Sequence, residues 1–400
     1  MATPKKQQSL PLDDAYVESS NGQNWTGGWG WRTLSGGDDL SGLHDCWDDL
    51  RSRVGAPFFA GPEWLDTFVR GFGQDGGELR LHALFQSSRC VAVLPLRARP
   101  GIARVHTEFD NEHWPFFCLA FDARVPGVAE EIVRHLLEQC DLVDLSGLHE
   151  NAEPVQAIAA AARSLGLAAP IERLVKGDTF LRIPQELNGW TEGLSRHLQR
   201  DITQGRRRLE RSGAVRLEVT CGGPDLAARL DEAFALEARG WKAESGTPID
   251  AVPSTHRFYR ELAAEASRRG AFALYQLRLD DRLIAFEYCL RDQRRIDLLK
   301  ISYDPAWARV SPGTVLRGMI LEREIALREV DTYHFGRPSE WKLRWTDQVA
   351  PLVRLSIYAR GWRGQLANLA YDRFGASLRR SNFVRRASRW MRSLVQALPF

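Results

Sequence analysis

Apolar and polar residues alternate with period two in Val215–Thr220 (VRLEVT), the pattern of a strand with one buried face. The period then lengthens. Pro224–Gly240 and Thr255–Gly270 space their apolar residues as helices do, and short strand-like runs follow at Phe272–Leu279, Leu283–Leu290 and Arg295–Ile301. Asp280-Asp281 and Arg291–Arg294 are polar and short, which makes them the hairpin turns. Helical spacing returns over Thr314–Arg328, with Val315, Met319, Ile320 and Ile325–Leu327 as the apolar stripe. Val330–Phe335 and Leu352–Ala359 predict two more strands.

The first half of the chain runs through the same order. Strand Trp29–Leu34, helices Asp38–Arg51 and Pro62–Phe72, and strands Leu79–Phe85, Cys90–Arg97 and Ala103–Phe109 come first. Helix Pro126–Gln139, strand Leu142–Leu145, helix Glu153–Leu165 and strand Ile171–Ile183 complete the set. Short echoes accompany the order: Arg89–Val93 against Arg282–Phe286, Arg124–Val128 against Arg309–Val315, and Val143-Asp144 against Val330-Asp331. Their offsets, 193, 185 and 187 residues, are close enough to indicate one unit used twice. The expected organisation is a disordered lead-in over 1–28, a degenerate lobe over 29–190, a second lobe with the donor site over 191–360, and a basic amphipathic tail over 361–400.

Between the last meander strand and the following helix lies Tyr303–Leu316, YDPAWARVSPGTVL. A helix that starts after a tight loop presents free N–H groups and a partial positive charge, which together hold phosphate. In this loop Arg309 supplies a cation, Ser311 and Thr314 hydroxyls, and Gly313 room for close backbone approach; a plain capping turn is the alternative reading.

Composition narrows the class. Four hundred residues at 44% hydrophobic are enough for two cores. Cys46, Cys90, Cys118, Cys140, Cys221 and Cys289 are scattered without CxxC spacing, and His113 and His334 lack ligand-spaced partners, so neither a disulfide framework nor a metal site is expected. With no signal-like segment or long apolar run, a cytoplasmic location is expected.

Charge is +3 overall but unevenly placed. Arg196–Arg211 gathers Leu194, Leu198, Ile202 and Leu209 on one helical face, with arginines largely elsewhere. The tail from Arg360 holds nine arginines against a single Asp372, and near its end Phe383, Ala387, Trp390, Met391, Leu394, Val395 and Leu398 share a side. That pattern is expected of an interfacial helix on an anionic membrane. Nucleic acid, the alternative for both basic runs, is disfavoured because no aromatics interleave with the first.

The second half resembles the CelD-like acetyltransferases of bacterial cellulose and exopolysaccharide clusters, a GNAT branch related to the FemABX transferases. The resemblance rests on LSRHLQRDITQGRRRLERSG (Leu194–Gly213), LEARGWKAESGTPI (Leu236–Ile249), RLIAFEYCL (Arg282–Leu290), LLKISYDPAWARVSPGTVL (Leu298–Leu316) and FGRPSEWKLRW (Phe335–Trp345). It implies an α/β tandem GNAT fold and transfer of an acyl group from acetyl-CoA or another acyl-CoA to an amine of a glycan or amino-sugar acceptor, without a metal. It also implies work beside polysaccharide-synthesis proteins at the inner membrane face. A FemABX-like enzyme using aminoacyl-RNA and an inactive scaffold of a synthase are the alternatives. The loop departs from the usual GNAT pattern in having only Gly313 where two glycines are common.

In such a fold the third meander strand supplies an oxyanion-binding N–H, here near Lys300–Tyr303. Glu287, inside an apolar strand, is a candidate general base, or the ion-pair partner of a nearby arginine. Tyr303 is a candidate acid for the thiolate, or an aromatic plug. Asp304 is a second acid–base candidate, or a turn residue. Lys300 matches the family motif on the donor side, or is a structural salt-bridge partner of Glu287 across neighbouring strands. On the acceptor side the candidates are Trp241 and Lys242, at the end of a helix, and His113 in the loop Glu108–Trp114, which clusters acids, an amide and an imidazole.

Overall fold

The computed structural model describes residues 28–369 except 37, 74–77, 100, 110–112, 114 and 240–251, with the backbone alone at 175–176. Trp241, Lys242 and the amphipathic tail helix lie outside the described residues. Thirteen strands form one sheet: β1 (Trp29–Ser35), β2 (Glu78–Gln86), β3 (Arg89–Arg99), β4 (Val105–Glu108), β5 (Ala120–Phe121), β6 (Leu142–His149), β7 (Ile171–Arg182), β8 (Val215–Thr220), β9 (Phe272–Leu279), β10 (Arg282–Asp292), β11 (Arg295–Tyr303), β12 (Thr332–Gly336) and β13 (Val349–Tyr358).

The order across the sheet is β1-β2-β3-β4-β6-β13-β7-β12-β11-β10-β9-β8, with β5 beside β3. Each half therefore builds an antiparallel meander that ends in a short parallel pair, β4 with β6 and β11 with β12. At the centre the halves exchange their last strands. β13, from the end of the second half, pairs with β6 of the first, and β7 pairs with β12 of the second. The exchange joins the lobes through backbone hydrogen bonds and leaves neither with an open inner edge.

Helices cover both faces. α1 (His44–Arg53), α2 (Pro62–Phe72), α6 (Leu226–Ala238) and α7 (Pro253–Arg268) share one core on the first face, where Trp47, Trp64, Phe68, Phe234, Phe258 and Tyr288 are buried. α3 (Val128–Gln139) and α4 (Glu153–Ser164) cover the second face of the first lobe, α5 (Arg196–Glu210) and α8 (Pro312–Leu327) that of the second. Proline opens α2, α7 and α8, where its missing N–H costs no hydrogen bond. The hairpin turns are as expected: Gln293 and Arg294 are both left-handed, with φ of 48° and 56°, as a type I′ turn requires.

Alternation along β10 assigns its side chains to these layers. Phe286, Tyr288 and Leu290 enter the core under α6 and α7, while Cys289 joins the core under α8. Glu287 points the same way as Cys289, because a helix residue from α8 meets it there.

Candidate active site

The parallel pairing of β11 with β12 lasts only from Arg295↔Thr332 to Asp297↔His334, after which the strands part. In the wedge β11 carries a bulge. Lys300 faces Tyr288 and Leu298 faces Cys289, so Leu299 has no opposite residue on β10. Past Asp297, β11 stays paired with β10 but has left β12, so its side toward β12 faces a wedge where an extended ligand can align.

Beyond β11 the chain turns through Pro305–Val310, a 3-10 segment, to Ser311, which is left-handed at φ 51° and ψ 57°. Asp304 caps that segment, its Oδ1 accepting from Ala306 N at 3.0 Å while Oδ2 takes the Arg282 guanidinium. These contacts are those of a turn residue, the alternative reading of Asp304. α8 then begins at Pro312 with no side-chain cap. Ser311 and Thr314 are half-buried, Arg309 is exposed, and a Cβ added at Gly313 would meet nothing within 4 Å. Neither packing nor a positive φ calls for glycine there. The open space and the uncapped helix end are what a phosphate at this position would use.

α5 lies directly against this loop. A Cβ on Gly205 would fall 2.5 Å from the Val310 carbonyl oxygen, and one on Gly318 2.9 Å from Ile202 Cγ2, so both glycines are required by close approach. The contact leaves Arg196, Arg200, Arg207 and Arg208 of α5 exposed, while Arg206 pairs with Glu210 at 3.1 Å and Glu322 at 3.0 Å.

Glu287 is fully buried, and both carboxylate oxygens are engaged: Oε1 by Arg317 Nη2 at 2.5 Å and Oε2 by the Tyr333 hydroxyl. Arg317, from α8, lies over Trp341, Phe335, Trp345 and Tyr333 with its guanidinium carbon 4.7 to 5.8 Å from the ring centres. Burial pushes the Glu287 carboxyl above its ordinary range, and Arg317 and Tyr333 pull it back. The ion pair with Arg317 is the alternative reading of Glu287, and through it the carboxylate is a strut that braces α8 against β10 and β12. Lys300 stands opposite Tyr288 on the other face of the sheet from Glu287.

On that first face two candidates from different lobes meet. His113 Nδ1 lies 3.1 Å from the Tyr259 hydroxyl, and Lys300 Nζ is 5.0 Å from the centre of the Tyr259 ring. Phe72 stacks on His113 at 4.9 Å. Burial, and after it the Lys300 ammonium, push the His113 imidazolium down to about 4, so the ring is neutral at pH 7. Tyr303 is half-buried at the end of β11, against the core beneath α5 and α8. Among the described residues no cluster of His, Cys, Asp and Glu is placed to hold a metal ion.

Residues 196–345 match the acetyltransferase (GNAT) domain family. Among solved structures, FemX aligns with a TM-score of 0.54 at 9% identity, over 84% of this chain and 99% of FemX. The C-terminal domain (DUF2156) of a putative lysylphosphatidylglycerol synthetase from Agrobacterium fabrum aligns at 0.49 and 13% identity, over 83% and 96%. A tandem GNAT protein from the clavulanic acid biosynthesis pathway aligns at 0.41 and 14% identity, over 82% and 98%. No curated protein matches the chain significantly in sequence. The family match and the FemX alignment support the tandem GNAT fold; the CelD-like resemblance is narrowed to the GNAT domain.

Proposed function

We propose that the chain is an acyl-CoA-dependent N-acyltransferase, most simply an N-acetyltransferase, whose acceptor is an amine on an exopolysaccharide or cell-envelope glycan precursor. The observation that carries this reading is the wedge between β11 and β12 beside an uncapped, arginine-flanked α8 N-terminus. Pantetheine, an extended amide chain, is complementary to the edge of β11 that faces the wedge, and pyrophosphate to the loop Arg309–Thr314.

In the proposed reaction the amine nitrogen bonds to the thioester carbon, the carbon–sulfur bond breaks, and the proton released from nitrogen ends on the departing thiolate. Backbone N–H groups near Leu299–Ile301 hold the oxyanion. Neutral His113 accepts a hydrogen bond from the amine on the acceptor side, and Tyr303 is the nearby donor for the thiolate. Trp241 and Lys242 stay assigned to the acceptor side by the resemblance. The arginine-rich tail places the enzyme at the inner membrane face, next to polysaccharide-synthesis proteins.

The exposed arginines of α5 favour one second reading, a FemABX-like transferase whose donor is aminoacyl-RNA. Calorimetric titration with acetyl-CoA, longer acyl-CoAs, free coenzyme A and charged RNA separates the readings. Micromolar acyl-CoA binding supports the first, RNA binding without it the second. Binding of neither assigns the chain to a scaffold.

A further inference from the structure

The last described helix, α9 (Trp362–Asn368), is amphipathic in an inverted sense. Its buried residues are small: Gly364, where a Cβ would fall 2.2 Å from the Ala359 carbonyl oxygen, and Ala367, which packs on Leu142 and Tyr358. Its large apolar residues face out, with Trp362 66%, Leu366 45% and Leu369 45% exposed at a spacing of one helical turn. Ala103 and Val105 of the first lobe pack against the same small cluster, and next to Ala103 Ile102 is 76% exposed. A folded domain rarely leaves this much aliphatic and aromatic surface together in water without a use for it.

Cations surround the patch. Arg360 is exposed just before α9 and Arg363 within it, and Arg104 is half exposed although it pairs with Asp141 at 3.3 Å. The chain continues from the patch into residues 370–400, which carry seven arginines and one aspartate. Apolar side chains at the centre with arginines at the rim fit a surface of acyl chains beneath anionic headgroups. No described helix is long and apolar enough to cross a membrane, so contact of this kind is with the membrane surface.

We propose that Ile102, Trp362, Leu366 and Leu369 form a membrane-docking face on the folded body, with Arg104, Arg360 and Arg363 meeting anionic headgroups. This face, carried on the folded body, orients the enzyme at the surface, and it is independent of the acyl-donor reading. The apolar residues insert among acyl chains, and the arginines remain at headgroup level.

The test is flotation of the full-length chain with phosphatidylcholine vesicles and with phosphatidylcholine–phosphatidylglycerol vesicles over a salt series. Native protein is expected to float with the anionic vesicles and to detach as salt rises. Combined Ile102→Ser, Trp362→Ser and Leu366→Ser should weaken binding by roughly tenfold or more, by loss of burial, with an unchanged melting temperature because all three are exposed. Arg360→Gln with Arg363→Gln should weaken binding and flatten its salt dependence. Native-like flotation of the triple variant assigns membrane binding to the tail and overturns the proposal. So does a native chain that ignores vesicles but elutes as a dimer which the triple variant breaks, since the face would then cover a second copy.

Discussion

The two lobes share a wedge and differ in what occupies it. In the first lobe β4 pairs with β6 in parallel over Val105↔Leu142, His106↔Val143 and Thr107↔Asp144, as short a run as that of β11 with β12. Past that run Ser146 N on β6 donates to Glu108 Oε2 at 3.0 Å and Phe117 N to the Gly147 carbonyl at 3.0 Å, so these β6 groups are satisfied within the lobe. The loop before α3 is likewise satisfied: Arg124, the counterpart of Arg309, donates to Asp122 at 2.8 Å and 3.1 Å. In the second lobe Arg309 is exposed, and a Cβ at Gly313 would meet nothing within 4 Å. The contrast makes the second lobe the one expected to bind the donor, which donor stoichiometry tests.

The largest effect expected is on the strut of the second lobe. Replacing Arg317 by Met leaves Glu287 buried without its cation, which costs roughly 3–5 kcal/mol, and the melting temperature should drop accordingly. Glu287→Gln sharpens the point. A strut loses stability and donor affinity together, whereas a general base would lose about 10²-fold or more in turnover with melting unchanged. Thermal melts and steady-state kinetics on the same preparation decide between them.

A smaller effect tests the asymmetry itself. Gly313→Val puts a branched side chain into the open space at the α8 N-terminus and should weaken acyl-CoA binding by about tenfold or more without unfolding the lobe. Calorimetry on the native chain should give one donor per chain. Two donors per chain, or a Gly313→Val variant with native affinity, would break the comparison between the lobes.

How far the sequence revealed this follows from which forces are local. Strand and helix periods located the elements well: Leu283–Leu290 was expected and Arg282–Asp292 is found, Thr255–Gly270 was expected and Pro253–Arg268 is found. The exchange of β7 and β13 was not legible, because both lie inside the sheet and pattern alone does not choose among equally apolar partners. Arg317 was missed although a signal existed. It is the one charge between Val315 and Leu321 of a helix otherwise apolar there, and Glu287 is the one charge within an apolar strand. Lone opposite charges in two core elements must find each other, since either alone is too costly to bury. Tyr259 left no such trace. Its meeting with His113 and Lys300 depends on how the lobes pack.

The smallest effect at neutral pH, and a lobe-specific one, concerns acid. His82, His106 and His135 crowd together in the first lobe, His82 Nδ1 lying 3.1 Å from His135 Nε2 and the His82 and His106 rings 5.5 Å apart. Burial lowers all three from the ordinary value of 6.5, His82 to about 3 and the others to about 4; neighbouring histidines add to it at His82 and His135, and Arg80 and Arg104 at His106. Lowered values mean that the folded lobe favours neutral rings. Below pH 6.5 the unfolded chain takes up protons that the folded lobe refuses, so this contribution is complete above pH 6.5 and is lost as pH falls toward 4. Melting temperature should therefore be flat from pH 8 to about 6.5 and then decline, with near-ultraviolet dichroism of the first-lobe tryptophans, Trp31 and Trp47 among them, changing first. His82→Leu removes the most deeply buried ring of the three and should move the decline to lower pH. If the decline is unmoved, or signals from Trp341 and Trp345 of the second lobe change first, acid acts through the carboxylates of the second lobe instead, and the two lobes do not differ in this respect.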